Sequence, residues 1–410
     1  MNSNSQEDFA WLFSEEAAPL LQACCDNVND RVNAVRIAKM LRKSTTPQRA
    51  AMIMELTGQR MRARAKFSRS DEMLMTRRGL EQSTSEPIAW FKARRFSGAE
   101  NVADICCGIG GDFIALARRQ DAARTVGVDR DPLCCTMARH NASVYQCPDF
   151  DVIQSSFEDF DAGPFDAVHI DPDRRVDGRT VNADTIDPPL ETILRKLGNV
   201  SAGIKLAPAT IIDEQEARQL SGHNIERNWI GDKRECKQQV LWTGRLAQNA
   251  GNRTATSIRD GQVEQFSTRE GFVDTPASVA NGVGKFIFEP HPTVIAAGLG
   301  DALANDRDLK RLAPRIAYLT GKRPANTGLL SIFRVIDVMT TNVRRIGKKL
   351  KKMGVGRIEV KHRGVELVTA EQVKRLKLSG TEKMTVILTR LTTQRIAILA
   401  KRKKVRRDSD

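Results

Sequence analysis

Between residues 7 and 94 the apolar positions recur at helical intervals: Phe9, Leu12 and Phe13, then Leu20 and Leu21, then Val32, Val35, Ile37, Met40 and Leu41. No stretch there alternates with the period of two that marks a half-buried strand, so this part is expected to be helical. At residues 102–107 the pattern changes to a short apolar run, broken by Gly108, Gly110 and Gly111. Phe113, Ile114, Leu116 and Ala117 then return to helical spacing, and the whole reads as strand, tight loop, helix. Residues 125–129, 152–157, 165–170, 202–208 and 238–244 supply further strands, with a helix over 132–144. Strands that alternate with helices imply an α/β fold, a Rossmann-like and largely parallel sheet with helices on both faces.

Beyond this sheet the pattern weakens. Residues 247–284, rich in Gly, Thr, Ser, Arg and Asp, read as a connecting region. A third unit begins near Phe286, where apolar runs at 286–292, 316–319, 356–364 and 386–390 alternate with helical patterns. The expected organisation is a helical domain at 1–95, the α/β domain at 96–246, the connecting region at 247–284, an α+β domain at 285–400 and a basic tail at 401–410. A chain of 410 residues is long enough for two or three such cores.

Charge narrows the class of partner. The net charge is +15, which attracts polyanions. Nucleic acid is favoured over a membrane, because no run approaches the ~18 apolar residues of a span and no long basic amphipathic helix is present. Arg344, Arg345, Lys348, Lys349, Lys351, Lys352, Arg357, Lys361 and Arg363 crowd one helix–turn–strand stretch in which Glu359 is the only acid. A nearly single-sign run repels itself unless a polyanion compensates it, so these residues are the expected RNA contacts. With only two tyrosines and four tryptophans, binding is expected to rest on phosphate and shape more than on stacked bases. A second basic patch at residues 60–66 reads equally as a phosphate contact or a solvated helix face. The eight cysteines form no Cys-x-x-Cys and the five histidines have no ligand spacing, so no metal is expected. The first residues lack the regions of a signal peptide, and a cytoplasmic location is expected.

The chemistry is concentrated in two places. A glycine loop after a strand lets a ligand approach the backbone closely. Asp129 ends the next strand about 20 residues on, where such folds place a carboxylate on a ribose diol. A dinucleotide fingerprint needs a third glycine where Phe113 stands. The loop instead reads Asp104-x-x-x-Gly108-x-Gly110-Gly111-Asp112, which resembles the S-adenosylmethionine loop of class I methyltransferases. The resemblance implies that Asp104 and the backbone of Gly108, Gly110, Gly111 and Asp112 hold the methionine end, and Asp129 the ribose. It also implies adenine contacts at Ser156 and Phe157, although the usual acid is absent there. More narrowly, Cys-Gly-Ile-Gly-Gly-Asp resembles the RNA guanine-N2 methyltransferases related to trimethylguanosine synthase.

The second place is Asp171-Pro172-Asp173-Arg174-Arg175, at the carboxyl end of a strand beside the switch point. Amine-methylating relatives read Asp/Asn-Pro-Pro followed by an aromatic. Here Asp171 and the Pro172 carbonyl are placed to accept the hydrogens of an acceptor amine, while Arg174 or Arg175 stacks on a base or clamps a phosphate. Asp187-Pro188-Pro189-Leu190 offers a similar string but reads as a loop and helix start. Lys205 lies in an apolar run near the strand end that faces the site, and reads equally as a snorkelling edge lysine. Taken together, residues 73–399 resemble the bacterial class I methyltransferases with a C-terminal THUMP-like domain, whose acceptor motif is Asp-Pro-x-Arg-Arg. The resemblance implies an enzyme that uses S-adenosylmethionine to methylate a base amine in structured RNA, tRNA or rRNA. Two alternatives stay open: a catalytically inactive RNA-binding protein on a methyltransferase fold, and a small-molecule or protein methyltransferase.

Overall fold

A computed structural model describes residues 11–12, 14–27, 31–174, 186–269, 272–392 and 394–403. The chain divides into two units, one of the described residues up to Leu206 with Thr210–Ile225 and Leu241–Ala247, the other of the remainder.

In the first unit, α1 (Ala17–Asn27), α2 (Arg31–Ser44) and α3 (Pro47–Ala63) bury one stripe each, through Leu21, Ile37, Leu41, Ile53 and Leu56. Thr46 caps α3 by accepting from the Arg49 N–H, and Pro47 fits the first turn, where no amide donor is needed. Ile109, Ile114, Met137 and Tyr145 belong to the same apolar cluster, so these helices share a core with the elements that follow. Two short helices, α4 (Arg77–Gln82) and α5 (Glu86–Ala93), lead into the sheet.

The elements then run β1 (Asn101–Ile105), α6 (Phe113–Ala117), β2 (Arg124–Asp129), α7 (Pro132–Val144), β3 (Phe150–Gln154) and β4 (Ala167–Ile170). They continue as β5 (Asp173–Arg174), β6 (Ile186–Asp187), α8 (Leu190–Leu197), β7 (Ser201–Leu206) and α9 (Glu214–Ser221). Five parallel strands stand in the order β7-β4-β1-β2-β3, and β5 pairs with β6 outside them. From β1 the chain goes to β2 and β3 on one side, and from β4 to β7 on the other. The gap between the carboxyl ends of β1 and β4 is therefore the switch point, where this class of sheet binds ligands. At Gly203 a side chain would fall 2.5 Å from the ring of the buried Trp242, so only glycine admits that indole.

The second unit takes β8 (Ile225–Asp232) from Glu226 onward, β9 (Glu235–Thr243) as far as Val240, then β10 (Arg253–Arg259) and β11 (Gln262–Ser267). The region expected to be a connector thus contains a strand pair, with β10 parallel to β8 and antiparallel to β11. Its polarity hid it: Thr254 and Thr256 are buried, and their hydroxyls donate to Glu226 and Asn228 at 2.9 and 2.8 Å. Buried hydroxyls are tolerated once hydrogen-bonded.

A seven-stranded sheet follows, formed by β12 (Phe286–Pro290), β13 (Lys310–Arg311), β14 (Leu319–Gly321), β15 (Leu330–Thr340), β16 (Val355–His362), β17 (Glu382–Leu391) and β18 (Gln394–Lys403). Its order is β13-β14-β12-β15-β18-β17-β16, covered by α10 (Pro292–Ala296), α11 (Gly300–Asp306), α12 (Val343–Lys352) and α13 (Leu367–Lys374). β18 continues to Lys403, so the first residues of the expected basic tail are strand, and residues 404–410 lie outside the described part. No described helix is long and apolar enough to cross a membrane, and no described group of His, Cys, Asp and Glu has the arrangement to hold a metal.

His291 caps α10, its Nδ1 accepting from the Thr293 N–H, and burial lowers its pKa to about 4. Its folded value lies below the unfolded one of about 6.5, so its contribution is present above that pH and lost as pH falls toward 4. Between pH 7 and pH 5 it is expected to remove about 2 kcal/mol. His291→Asn keeps a capping oxygen and should flatten that slope; denaturant midpoints at the two pH values, equal for parent and variant, would contradict this.

Candidate cofactor and acceptor site

The loop after β1 is held in a shape that needs glycine. Gly108 and Gly110 have φ of 55° and 90°, and Cys106 just before them has φ of 58°, unusual for a residue with a side chain. A Cβ built on Gly108 meets nothing within 4 Å, so the loop faces open space there. Across that space stands Asp129 at the end of β2, with Oδ2 accepting from the Gly108 N–H at 2.8 Å and Oδ1 from the Asp131 N–H at 2.9 Å. Burial raises its pKa, against the pull of those two amides. Each oxygen keeps a lone pair for a ligand hydroxyl.

Register places Asp104 level with His169 on β4. His169 Nδ1 lies 2.6 Å from Asp104 Oδ1, and Nε2 lies 2.9 Å from Lys92 Nζ on α5. Lys92 is ion-paired with Asp112 Oδ1 at 2.8 Å, and the Thr84 hydroxyl donates to Asp112 Oδ2 at 2.6 Å. This buried chain was not legible in the sequence, where Lys92 and His169 are isolated residues in helical and strand patterns.

Burial opposes ionisation of Asp112, yet Lys92, His169 and Lys205 together carry its pKa below the usual carboxylate range. Burial raises the pKa of Asp104 despite His169. Asp104 Oδ2 is buried with no hydrogen-bond partner among the described residues, which suits a cationic ligand group.

Several of the expected site side chains are engaged within the fold. The carboxylate of Asp112 is 6% exposed and held by Lys92 and Thr84. Gly111 packs closely on the Thr84 turn, where a Cβ would lie 3.0 Å from the Thr84 carbonyl oxygen. The ring of Phe157 belongs to the apolar core, and the Ser156 hydroxyl donates to Asp159 at 2.7 Å. Arg60 is buried and donates to the carbonyls of Glu72 and Met73, while Lys66 donates to those of Leu80, Glu81 and Ser83. Arg60 and Lys66 thus tie down the segment that carries α4, while Arg62 and Arg64 of the same patch are exposed, as on a solvated helix face.

At the end of β4, Asp171 is anchored by its N–H donating to Ile105 at 3.1 Å. Its Oδ2 accepts from Lys205 Nζ at 2.5 Å, and the same ammonium reaches the Gln82 carbonyl at 3.2 Å. Burial works against the charge on Lys205, but Asp171 and Asp112 raise its pKa above the ordinary value. Oδ1 of Asp171 has no partner among the described residues. The strand lysine therefore holds the Asp171 carboxylate by one oxygen and leaves the other. The side chain of Arg174 and all of Arg175 lie outside the described residues.

In the second unit the basic stretch separates into two groups. Arg344, Arg345, Lys348, Lys351 and Lys352 are exposed along one side of α12, opposite the buried Ile346 and Leu350. Lys349 is paired with Asp337 at 2.7 Å and Lys361 with Glu289 at 2.6 Å, with Arg363 3.7 Å from Glu289. These three are engaged within the fold.

Residues 102–173 match the family model of a methyltransferase domain and residues 330–402 that of a THUMP domain-like module. Proteins from two Mycobacterium tuberculosis strains, CDC 1551 and H37Rv, are each 31% identical over 356 residues, covering 84% of this chain and 93% of the relative. Both are described as uncharacterized S-adenosylmethionine-dependent methyltransferases. A crystal structure of a protein from Porphyromonas gingivalis W83 has the same fold, with a TM-score of 0.72 at 20% identity over 88% of this chain and 92% of that one.

Proposed function

Since this chain belongs to the S-adenosylmethionine-dependent methyltransferases and carries a THUMP-like domain, we propose that it methylates a base amine in structured RNA. The observation that carries this reading is the pairing of an acceptor carboxylate held by one oxygen with an exposed cationic helix face in the second unit.

The loop backbone at Gly108 and Gly110, the unpartnered oxygen of Asp104 and the carboxylate of Asp129 fit the methionine and ribose ends of the cofactor. When bound it supplies an electrophilic methyl group on a sulfonium, which leaves as a neutral thioether. Transfer then requires alignment and exclusion of water more than acid–base help. Asp171 Oδ1 and the Pro172 carbonyl accept the hydrogens of the acceptor amine and turn its lone pair toward the methyl. Lys205 fixes the carboxylate plane by holding Oδ2. The five exposed cations of α12 bind phosphates of the RNA.

The direct test is incubation of the protein with methyl-labelled S-adenosylmethionine and total RNA from cells lacking it. Label is expected in a discrete RNA species, and nucleoside digestion names the base. Label in protein or small molecules, with none in RNA, sinks the RNA reading. Arg344→Gln/Lys348→Gln/Lys352→Gln should weaken RNA binding and reduce the slope of log affinity against log salt by about one per phosphate contact removed. Cofactor affinity should not change. An unchanged salt slope removes α12 from the interface.

A further inference from the structure

Three donor groups from separate stretches of the first unit converge on one carboxylate, Asp173. Arg78 Nη2, on α4, lies 3.5 Å from its Oδ2, and Arg130 Nη2 lies 3.6 Å from the same oxygen. Gln82 Nε2 lies 3.4 Å from Oδ1. Arg130 also reaches Asp187 Oδ2 through Nη1 at 3.2 Å. Arg130 follows directly on Asp129, and Asp173 stands two residues beyond Asp171. The cluster thus sits where the cofactor acid and the acceptor acid meet.

The side chains of Arg78 and Arg130 are 69% and 65% exposed and that of Asp173 is 40% exposed. Ion pairs this long and this open to water contribute little. Asp173 therefore holds its place weakly, while two guanidinium groups and an amide offer more donors than one carboxylate uses at these distances. Planar guanidinium forks match the oxygens of a phosphate, and phosphate contacts are what position a protein on a nucleic acid.

We propose that Arg78, Gln82 and Arg130 form a phosphate subsite at the mouth of the acceptor site, and that Asp173 stands in for the phosphate when substrate is absent. The phosphate is that of a nucleotide joined to the one being methylated, an identification that rests on the RNA reading above. Binding exchanges one anion for another: the phosphate displaces the Asp173 carboxylate, which turns to solvent. An acceptor without a phosphate cannot make this exchange, so the subsite favours a base in a polynucleotide over a free nucleoside.

The test uses the full chain and two probes, a labelled RNA hairpin oligonucleotide followed by fluorescence anisotropy and inorganic pyrophosphate followed by calorimetry. Retained binding of S-adenosylhomocysteine reports that each variant is folded. Arg78→Gln/Arg130→Gln is expected to weaken both probes by tenfold or more. Asp173→Asn, which removes the competing charge, is expected to tighten both by roughly three- to tenfold. If the oligonucleotide binds parent and variants alike, the subsite falls and the RNA reading stands. If the parent binds pyrophosphate but not the oligonucleotide, and the double variant loses pyrophosphate, the subsite stands and the RNA reading falls. Weaker binding by Asp173→Asn overturns the stand-in role, since it makes Asp173 an organiser of the arginines.

Discussion

Asp171→Ala is expected to slow methyl transfer by at least about 10²-fold while cofactor affinity stays within experimental error of the parent. The carboxylate follows β4, its one engaged oxygen is held by Lys205 at 2.5 Å, and it takes no part in the hydrogen bond between Asp129 and the Gly108 N–H. In the proposed role the carboxylate orients the acceptor amine, and misplacement by about 1 Å costs rates of this order. Asp129→Ala should show the reverse pattern, with weakened cofactor binding as its first effect. Single-turnover rates at saturating S-adenosylmethionine, with cofactor binding measured separately, distinguish the two. Undiminished turnover in Asp171→Ala would place the acceptor site elsewhere. Lys205→Met should lie between parent and Asp171→Ala, because it frees the carboxylate to rotate without removing it.

Lys92→Met is expected to destabilise the first unit by about 3–5 kcal/mol. Lys92 is 1% exposed and its ammonium is the cation paired with the buried Asp112. Burial lowers the pKa of Lys92 despite the attraction of Asp112, so the pair sits where water cannot compensate either charge. A methionine fills nearly the same volume but leaves the carboxylate uncompensated. Lys92→Met/Asp112→Asn should recover much of the loss, since taking out both charges avoids a buried unpaired one. Urea unfolding followed by tryptophan fluorescence measures both variants; equal midpoints for Lys92→Met and the parent would rule the network out as a stabilising element.

The pH dependence follows the same logic. The pKa of Asp112 is lower folded than unfolded, so its stabilisation is full above about pH 4 and fades as pH falls toward the folded value.

The parallel sheet of the first unit and its glycine loop were legible because continuous apolar runs, glycines and a strand-ending acid are local signals. Asp129 ends β2 and Asp171 follows β4, as the spacing indicates. Among the strands not read are β8, β10, β11, β15 and β18. β10 buries threonines whose hydroxyls find partners only across the sheet, and β18 runs on into a lysine- and arginine-rich stretch that resembles a tail.

The side chain of the acid after the glycine loop, Asp112, is paired with Lys92, 20 positions earlier in the chain and without a motif of its own.

By itself the sequence determined the fold class, the family and the two carboxylates at the strand ends, because each is written in a short stretch of chain. Only the tertiary structure decided which charged groups remain available. Pairings such as Lys205 with Asp171, Lys92 with Asp112 and Lys361 with Glu289 join residues far apart in sequence. A charge neutralised by a distant partner has the same letter as one left free.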